Sequence, residues 1–217
     1  MYKINYDKKK YDFRKLLSNL FEIENLENIH NFFPKNQNIF DMTNNSKTKF
    51  HEIFYDRLNS GWEEFHDIYK NLIKDVIKEN FNEMILYQTK PTLRIHIVGN
   101  WATPEFHCDS QPGYNHPKGE VNFIIPITKC YGSNAVWCES EPDKKDYKPM
   151  EGKYGEIISF NGNILKHGNK INNETDSRIS FDFRILPISK YNPKNHKFTS
   201  GTRNLKFEIG SYYSSLS

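Results

Sequence analysis

The chain has 217 residues, enough for one large domain, and 16 Phe, 13 Tyr and 3 Trp bring its aromatic share to 15%. That apolar bulk can fill a core despite a mean hydropathy of -0.79, which excludes wholesale disorder. Its 30 basic and 27 acidic residues nearly cancel at a formal charge of +3, and beyond Lys8–Lys10 no basic block interleaved with aromatics stands out, so a nucleic-acid partner is not expected.

The opening stretch MYKINYDKKKYDF is polar from the start, and no long apolar run comes after it. Neither a signal peptide nor a membrane partner is therefore expected. Tyr11–Asn25 carries Phe13, Leu16, Leu17, Leu20 and Phe21 at three- and four-residue steps, which predicts a short helix. The Pro- and Asn-rich NFFPKNQN comes next, and residues 32–46 read as a loop. Over 47–82, Phe50, Phe54, Leu58, Trp62, Phe65, Tyr69, Leu72 and Val76 keep the helical period, and Gly61 divides the run into two helices. After Pro91 the period falls to two. LRIHIV, VNFIIPI, AVWCES, EIISF and RISFDFRIL read as strands with one buried face, each bounded by turn residues.

Helices first and strands after predict an α+β fold in one domain over 1–217. A helical part at 1–90 would pack outside a strand-built barrel or sandwich at 91–190, followed by an extension at 191–217. The helices at 47–82 either buttress the barrel or form the interface of a homodimer. Cys108, Cys130 and Cys138 contain no CxxC pair. An odd count without a secretory signal predicts reduced thiols that act as small hydrophobes in a cytoplasmic protein.

The chemistry concentrates from EFHCDSQPGYNHPKGE onward. If this segment is extended, His107 and Asp109 share a face while Cys108 takes the other. His167 comes just after the predicted strand EIISF. Two imidazoles and a carboxylate leave cis positions open, which suits non-haem Fe(II) binding a co-substrate and O2 together, although zinc accepts the same atoms. In SRISFDFRILP, Arg178 and Ser180 share a strand face. A guanidinium beside a hydroxyl receives a carboxylate, which favours iron with a dicarboxylic co-substrate. His-x-Asp alone is a common accident; the combination is specific.

His107-x-Asp109, His167 and Arg178-x-Ser180 together resemble the Fe(II)/2-oxoglutarate-dependent dioxygenases. Glu120-x-Asn122 ahead of Pro126-Ile-Thr128, Gly132-x-Asn134 with Glu139-Ser140, His167-Gly168 and the run from Ser177 to Arg184 resemble a narrower branch. That branch holds the hydroxylase-like proteins of streptomycin biosynthesis and, distantly, the phytanoyl-CoA hydroxylases. The likeness spans Leu93–Pro187. It implies a double-stranded β-helix core (jelly-roll, cupin-like), iron on His107, Asp109 and His167, and the distal carboxylate of 2-oxoglutarate on Arg178 and Ser180. It also implies consumption of O2, release of succinate and CO2, and oxidation of a substrate C–H bond. Related halogenases carry a small residue where this chain has Asp109, so hydroxylation, desaturation or cyclisation is implied instead.

Other polar residues are candidates for secondary roles. Asn122 supports 2-oxoglutarate or makes a structural bond. Arg94 reaches the co-substrate or substrate, and Arg184 is a second anion site for substrate or else an ion-pair partner. Asp182 pairs with one of the two arginines that flank it. His96 reads as a hydrogen-bonded strand histidine. His116, in a turn beside the metal, reads as part of a lid and a substrate neighbour. Trp137 and Glu139 alternate on one strand face, where substrate contact competes with core packing and a solvated edge. The expected substrate is a small polar metabolite, amino-acid-like or sugar-like. The rivals are a cupin-like metalloenzyme or isomerase that does not use 2-oxoglutarate, and a non-catalytic ligand-binding barrel.

Overall fold

The computed structural model describes residues 1–33, 48–101, 105–193 and 206–217. Most of the loop expected at 32–46 lies outside them. The described strands, in chain order, are β1 (Tyr2–Asn5), β2 (Ile85–Gln88), β3 (Thr92–His96), β4 (Val121–Pro126), β5 (Val136–Cys138), β6 (Lys148–Pro149), β7 (Glu156–Phe160), β8 (His167–Asn169), β9 (Arg178–Pro187) and β10 (Tyr213–Leu216). The α-helices are α1 (Phe13–Phe21), α2 (Lys49–Asn59) and α3 (Glu63–Leu72), and α3 runs on into a π-helical turn at Ile73–Ile77.

Local chemistry sets the helix boundaries. The Asp12 side chain caps α1 by accepting from Lys15 N at 3.0 Å. Between α2 and α3, Gly61 takes φ +87°, a conformation that strains any other residue, so the break expected there is real. Phe13, Leu16, Leu17 and Phe21 are buried on α1, and Phe54, Phe65 and Tyr69 on the next two helices. Each such side chain contributes roughly 1.5–3 kcal/mol on burial.

The strands form two mostly antiparallel sheets. The larger runs β1-β7-β4-β9-β2-β10, with β3 also paired to β9, and the smaller runs β6-β5-β8. Ile124, Ile158 and Phe160 of the large sheet pack on Val136, Cys138 and Met150 beside the small one, giving a β-rich, barrel-like core. Strand β9 organises it, because it pairs with β2, β3 and β4. Its alternation is strict. Ile179, Phe181, Phe183 and Ile185 face the helices, and the Phe181 ring lies 5.4–5.7 Å from those of Phe13, Phe54 and Phe65. Arg178, Ser180, Asp182 and Arg184 take the opposite face.

The division into a helical part at 1–90, a core at 91–190 and an extension at 191–217 does not match the sheet. β1 and β2 lie in the first segment and β10 in the last, yet all three are strands of the main sheet. β1 was hidden because it is a polar edge strand in which only Ile4 is even partly buried. Among the described residues, no helix is long and apolar enough to cross a membrane. The three cysteines are free; Cys130 and Cys138 are buried.

Candidate metal centre

Backbone pairing brings the three ligand candidates together. His107 and His167 exchange hydrogen bonds as an isolated bridge, N to O at 3.0 and 2.9 Å, and Asp109 N donates to Gly162 O at 2.9 Å. Candidate ligand atoms of His107, Asp109 and His167 then lie within 4.8 Å of one another, and all three residues are buried. Oδ1 of Asp109 is 3.6 Å from Nε2 of each histidine. The other ring nitrogens fix the tautomers. Nδ1 of His107 faces Glu105 O at 2.9 Å and Nδ1 of His167 faces Leu165 O at 3.0 Å. Carbonyl oxygens only accept, so each Nδ1 carries the proton and each Nε2 keeps its lone pair for a cation. Burial, the largest influence on His167, holds its imidazole below the ordinary range and so favours the neutral, ligating form.

Asp109 is heavily supported. Its Oδ2 accepts from Arg184 Nε at 3.1 Å, Arg184 Nη2 at 2.9 Å and Asn122 Nδ2 at 2.6 Å. Burial alone would raise the Asp109 carboxyl. The Arg184 charge, helped by the histidines, reverses that and holds it well below the usual carboxylate range. Of the alternatives open for Arg184 and Asn122, the structure shows the internal ones. Arg184 is the ion-pair partner of Asp109. Asn122 spends its amide donor on Asp109, since a flipped amide would point its oxygen at a carboxylate. Its Oδ1 has no partner.

Between the sheets lies a cavity with about 480 Å³ of space, its open mouth included. Its wall includes His107, His167, Asn122, Phe160, Arg94 and Arg178. Arg178 is 1% exposed, and its Nε and Nη1 have no hydrogen-bond partner. A buried guanidinium with unmatched donors is costly, and a carboxylate would satisfy it. The neighbouring charges are already engaged. Arg94 Nε binds Asp182 Oδ2 at 2.9 Å, so Asp182 pairs across to β3 and not with an arginine of its own strand. Ser180 Oγ donates to Asp182 Oδ1 at 3.4 Å. His96 is the hydrogen-bonded strand residue expected, with its ring nitrogens 3.1 Å from Asn134 O and 2.6 Å from Asn100 O.

The remaining candidates have internal duties. His116 is engaged inside the protein: its Nδ1–H donates to Glu120 Oε2 at 2.8 Å and its ring packs 4.7 Å from Phe207. Within the same turn, Tyr114 stacks on His107 at 4.1 Å and 12°. Glu139 is buried, not a solvated edge. It accepts from Lys166 N at 2.7 Å and Lys145 N at 3.2 Å, which fixes the backbone just before His167. Val136 lines the cavity, so Trp137, its neighbour on β5, turns away, donating to Gly132 O at 3.1 Å under the Lys170 ammonium. Sequence reading gave Glu120, Tyr114 and Tyr213 no role. Glu120 stood out only as part of the Glu120-x-Asn122 motif of the branch resemblance, and its second oxygen bonds the Tyr213 hydroxyl.

A barrel-like β fold around a buried His-Asp-His cluster, with an unpaired arginine in the adjoining cavity, defines a metalloprotein whose donor set fits Fe(II). The fold is shared with CytC3, solved with Fe(II) and alpha-ketoglutarate, at a TM-score of 0.50 and 14% identity, over 94% of this chain and 80% of that one. A non-heme monooxygenase, ThoJ in its nickel complex, gives a TM-score of 0.46 at 10% identity over 86% and 73% of the two chains. No family model matches the sequence. The streptomycin biosynthesis protein StrG of Streptomyces griseus is 32% identical over 169 residues, covering 78% of this chain and 77% of that protein. The chain belongs to the StrG family.

Proposed function

We propose that this protein is an Fe(II)- and 2-oxoglutarate-dependent oxygenase that hydroxylates or desaturates a small polar metabolite, with a double-stranded β-helix core and a single domain. One observation carries the reading: buried Arg178, whose Nε and Nη1 have no partner, lines the same cavity as His107 and His167. A zinc enzyme, a cupin-like isomerase or a non-catalytic barrel has no use for that cation.

His107, Asp109 and His167 would hold the iron, which when bound supplies O2 activation coupled to conversion of 2-oxoglutarate to succinate and CO2. Arg178 would take the distal carboxylate of 2-oxoglutarate as a charge-assisted pair, with the Arg94–Asp182 bridge shaping the wall beside it. Ile124, Val136 and Phe160 line the cavity with apolar surface and keep water from the reacting centre. The substrate class is supported by kinship with an antibiotic-biosynthesis protein.

The test is anaerobic addition of Fe(II) and 2-oxoglutarate to the folded protein, followed by admission of O2. A weak visible charge-transfer band and then succinate release are expected. Metal-loaded protein that gives neither overturns the proposal.

A further inference from the structure

A carboxylate can offer a cation one oxygen or two, and the second oxygen uses up a position that another ligand would need. Asp109 divides its oxygens. Oδ1 faces both histidine Nε2 atoms at 3.6 Å, while Oδ2 receives three donors, two from Arg184 and one from Asn122. The donors come from cross-strand neighbours, because Asn122 on β4 lies opposite Arg184 on β9. Both residues are buried, so water does not readily replace either. Neutralising a buried carboxylate needs only a nearby cation. It does not need a guanidinium fork plus an amide converging on one oxygen.

We infer that Arg184 and Asn122 are positioning residues that restrict Asp109 to a single donor oxygen and so keep coordination positions free for 2-oxoglutarate and O2 together. The inference rests on the iron-binding reading above. If Oδ2 were released, it could claim the position that O2 needs once 2-oxoglutarate is in place. Metal binding itself would survive.

The experiment uses nitric oxide as a stand-in for O2. The anaerobic Fe(II) forms of the wild type, Arg184→Gln, Arg184→Lys and Asn122→Ala are titrated with nitric oxide by electron paramagnetic resonance, with and without 2-oxoglutarate. Without 2-oxoglutarate, all four should bind nitric oxide alike. With it, Arg184→Gln should bind about tenfold or more weakly than wild type, the size expected from loss of a charged hydrogen-bonding partner. Arg184→Lys, which keeps the charge but not the fork, should fall between, and Asn122→Ala should shift the same way. Equal affinities with 2-oxoglutarate present overturn the inference, however much the variants lose in stability. Should Arg184→Gln fail to fold, Arg184→Lys and Asn122→Ala decide it by the same criterion. Wild type that binds no Fe(II), or no 2-oxoglutarate on Fe(II), overturns the proposed function and this inference with it. Wild type that passes while its variants match it overturns the inference alone.

Discussion

His107, Asp109, His167 and Arg178 were legible in the sequence because residue type and strand alternation carry their chemistry. Partner choice was not. Arg184 meets Asp109 of a turn and Arg94 meets Asp182 of the neighbouring strand, and nothing local encodes either choice. Arg178→Ala should therefore raise the 2-oxoglutarate requirement by orders of magnitude, because a buried carboxylate loses its charged partner. Binding titrations followed through the charge-transfer band check this, and an unchanged requirement would pass the role to Arg94. His96, next to Arg178 in register, yields a pH prediction. Burial, followed by the Arg178 charge, pushes its imidazole down from 6.5 to about 4. Burial and the Arg178 charge outweigh the two carbonyl oxygens facing its nitrogens, only one of which a neutral ring can donate to, so the fold favours the neutral ring. The stability this contributes is complete above pH 6.5 and lost as the pH falls toward 4, at about 1.4 kcal/mol per pH unit. Urea midpoints across that window should fall less steeply for His96→Gln than for wild type; parallel slopes would contradict the assignment.

At the scale of elements, β9 and the helices were readable because their apolar faces repeat without interruption. β6 and β8 were not, since two or three residues carry no period. The loop from β7 to β8 shows what such short elements achieve. Gly162 O accepts from Asp109 N, Asn163 O accepts from Ser110 N, and Glu139 holds Lys166 N, so the loop sets the spacing between ligands. A Cβ at Gly162 would come within 2.8 Å of Phe160 Cε2 and 2.9 Å of Asn122 Nδ2. Gly162→Ala should thus destabilise the protein by about 1–3 kcal/mol through overpacking. Because Gly162 O holds the backbone of Asp109, the shift should also weaken Co(II) binding. Denaturant melts and cobalt titration measure the two effects, and loss of stability with unchanged cobalt affinity would uncouple Gly162 from the site.

For the whole molecule, the sheet is bounded by β1 at one edge and β10 at the other. β10 covers the edge of β2, Phe207 and Tyr213 pack on Leu86 and Leu186, and the Tyr213 hydroxyl bonds buried Glu120. The α+β expectation held, but the polar outer strands, whose sequences carry little alternation, were taken for flanking segments. Deleting 206–217 should bare a sheet edge and strand a buried carboxylate, so light scattering should show aggregation. Tyr213→Phe, which removes only the hydroxyl, should cost about 1–3 kcal/mol in a denaturant melt and leave the protein folded. A deletion variant as soluble and stable as wild type would refute this role for the segment.

The same topology has a consequence for biosynthesis. The codons for His107, Asp109, His167, Arg178 and Arg184 are all read before that for Tyr213, which secures Glu120. A nascent chain on the ribosome therefore holds every metal-facing side chain while one border of its sheet is still missing. A prematurely terminated product would carry the ligands without the strand that closes the β2 edge.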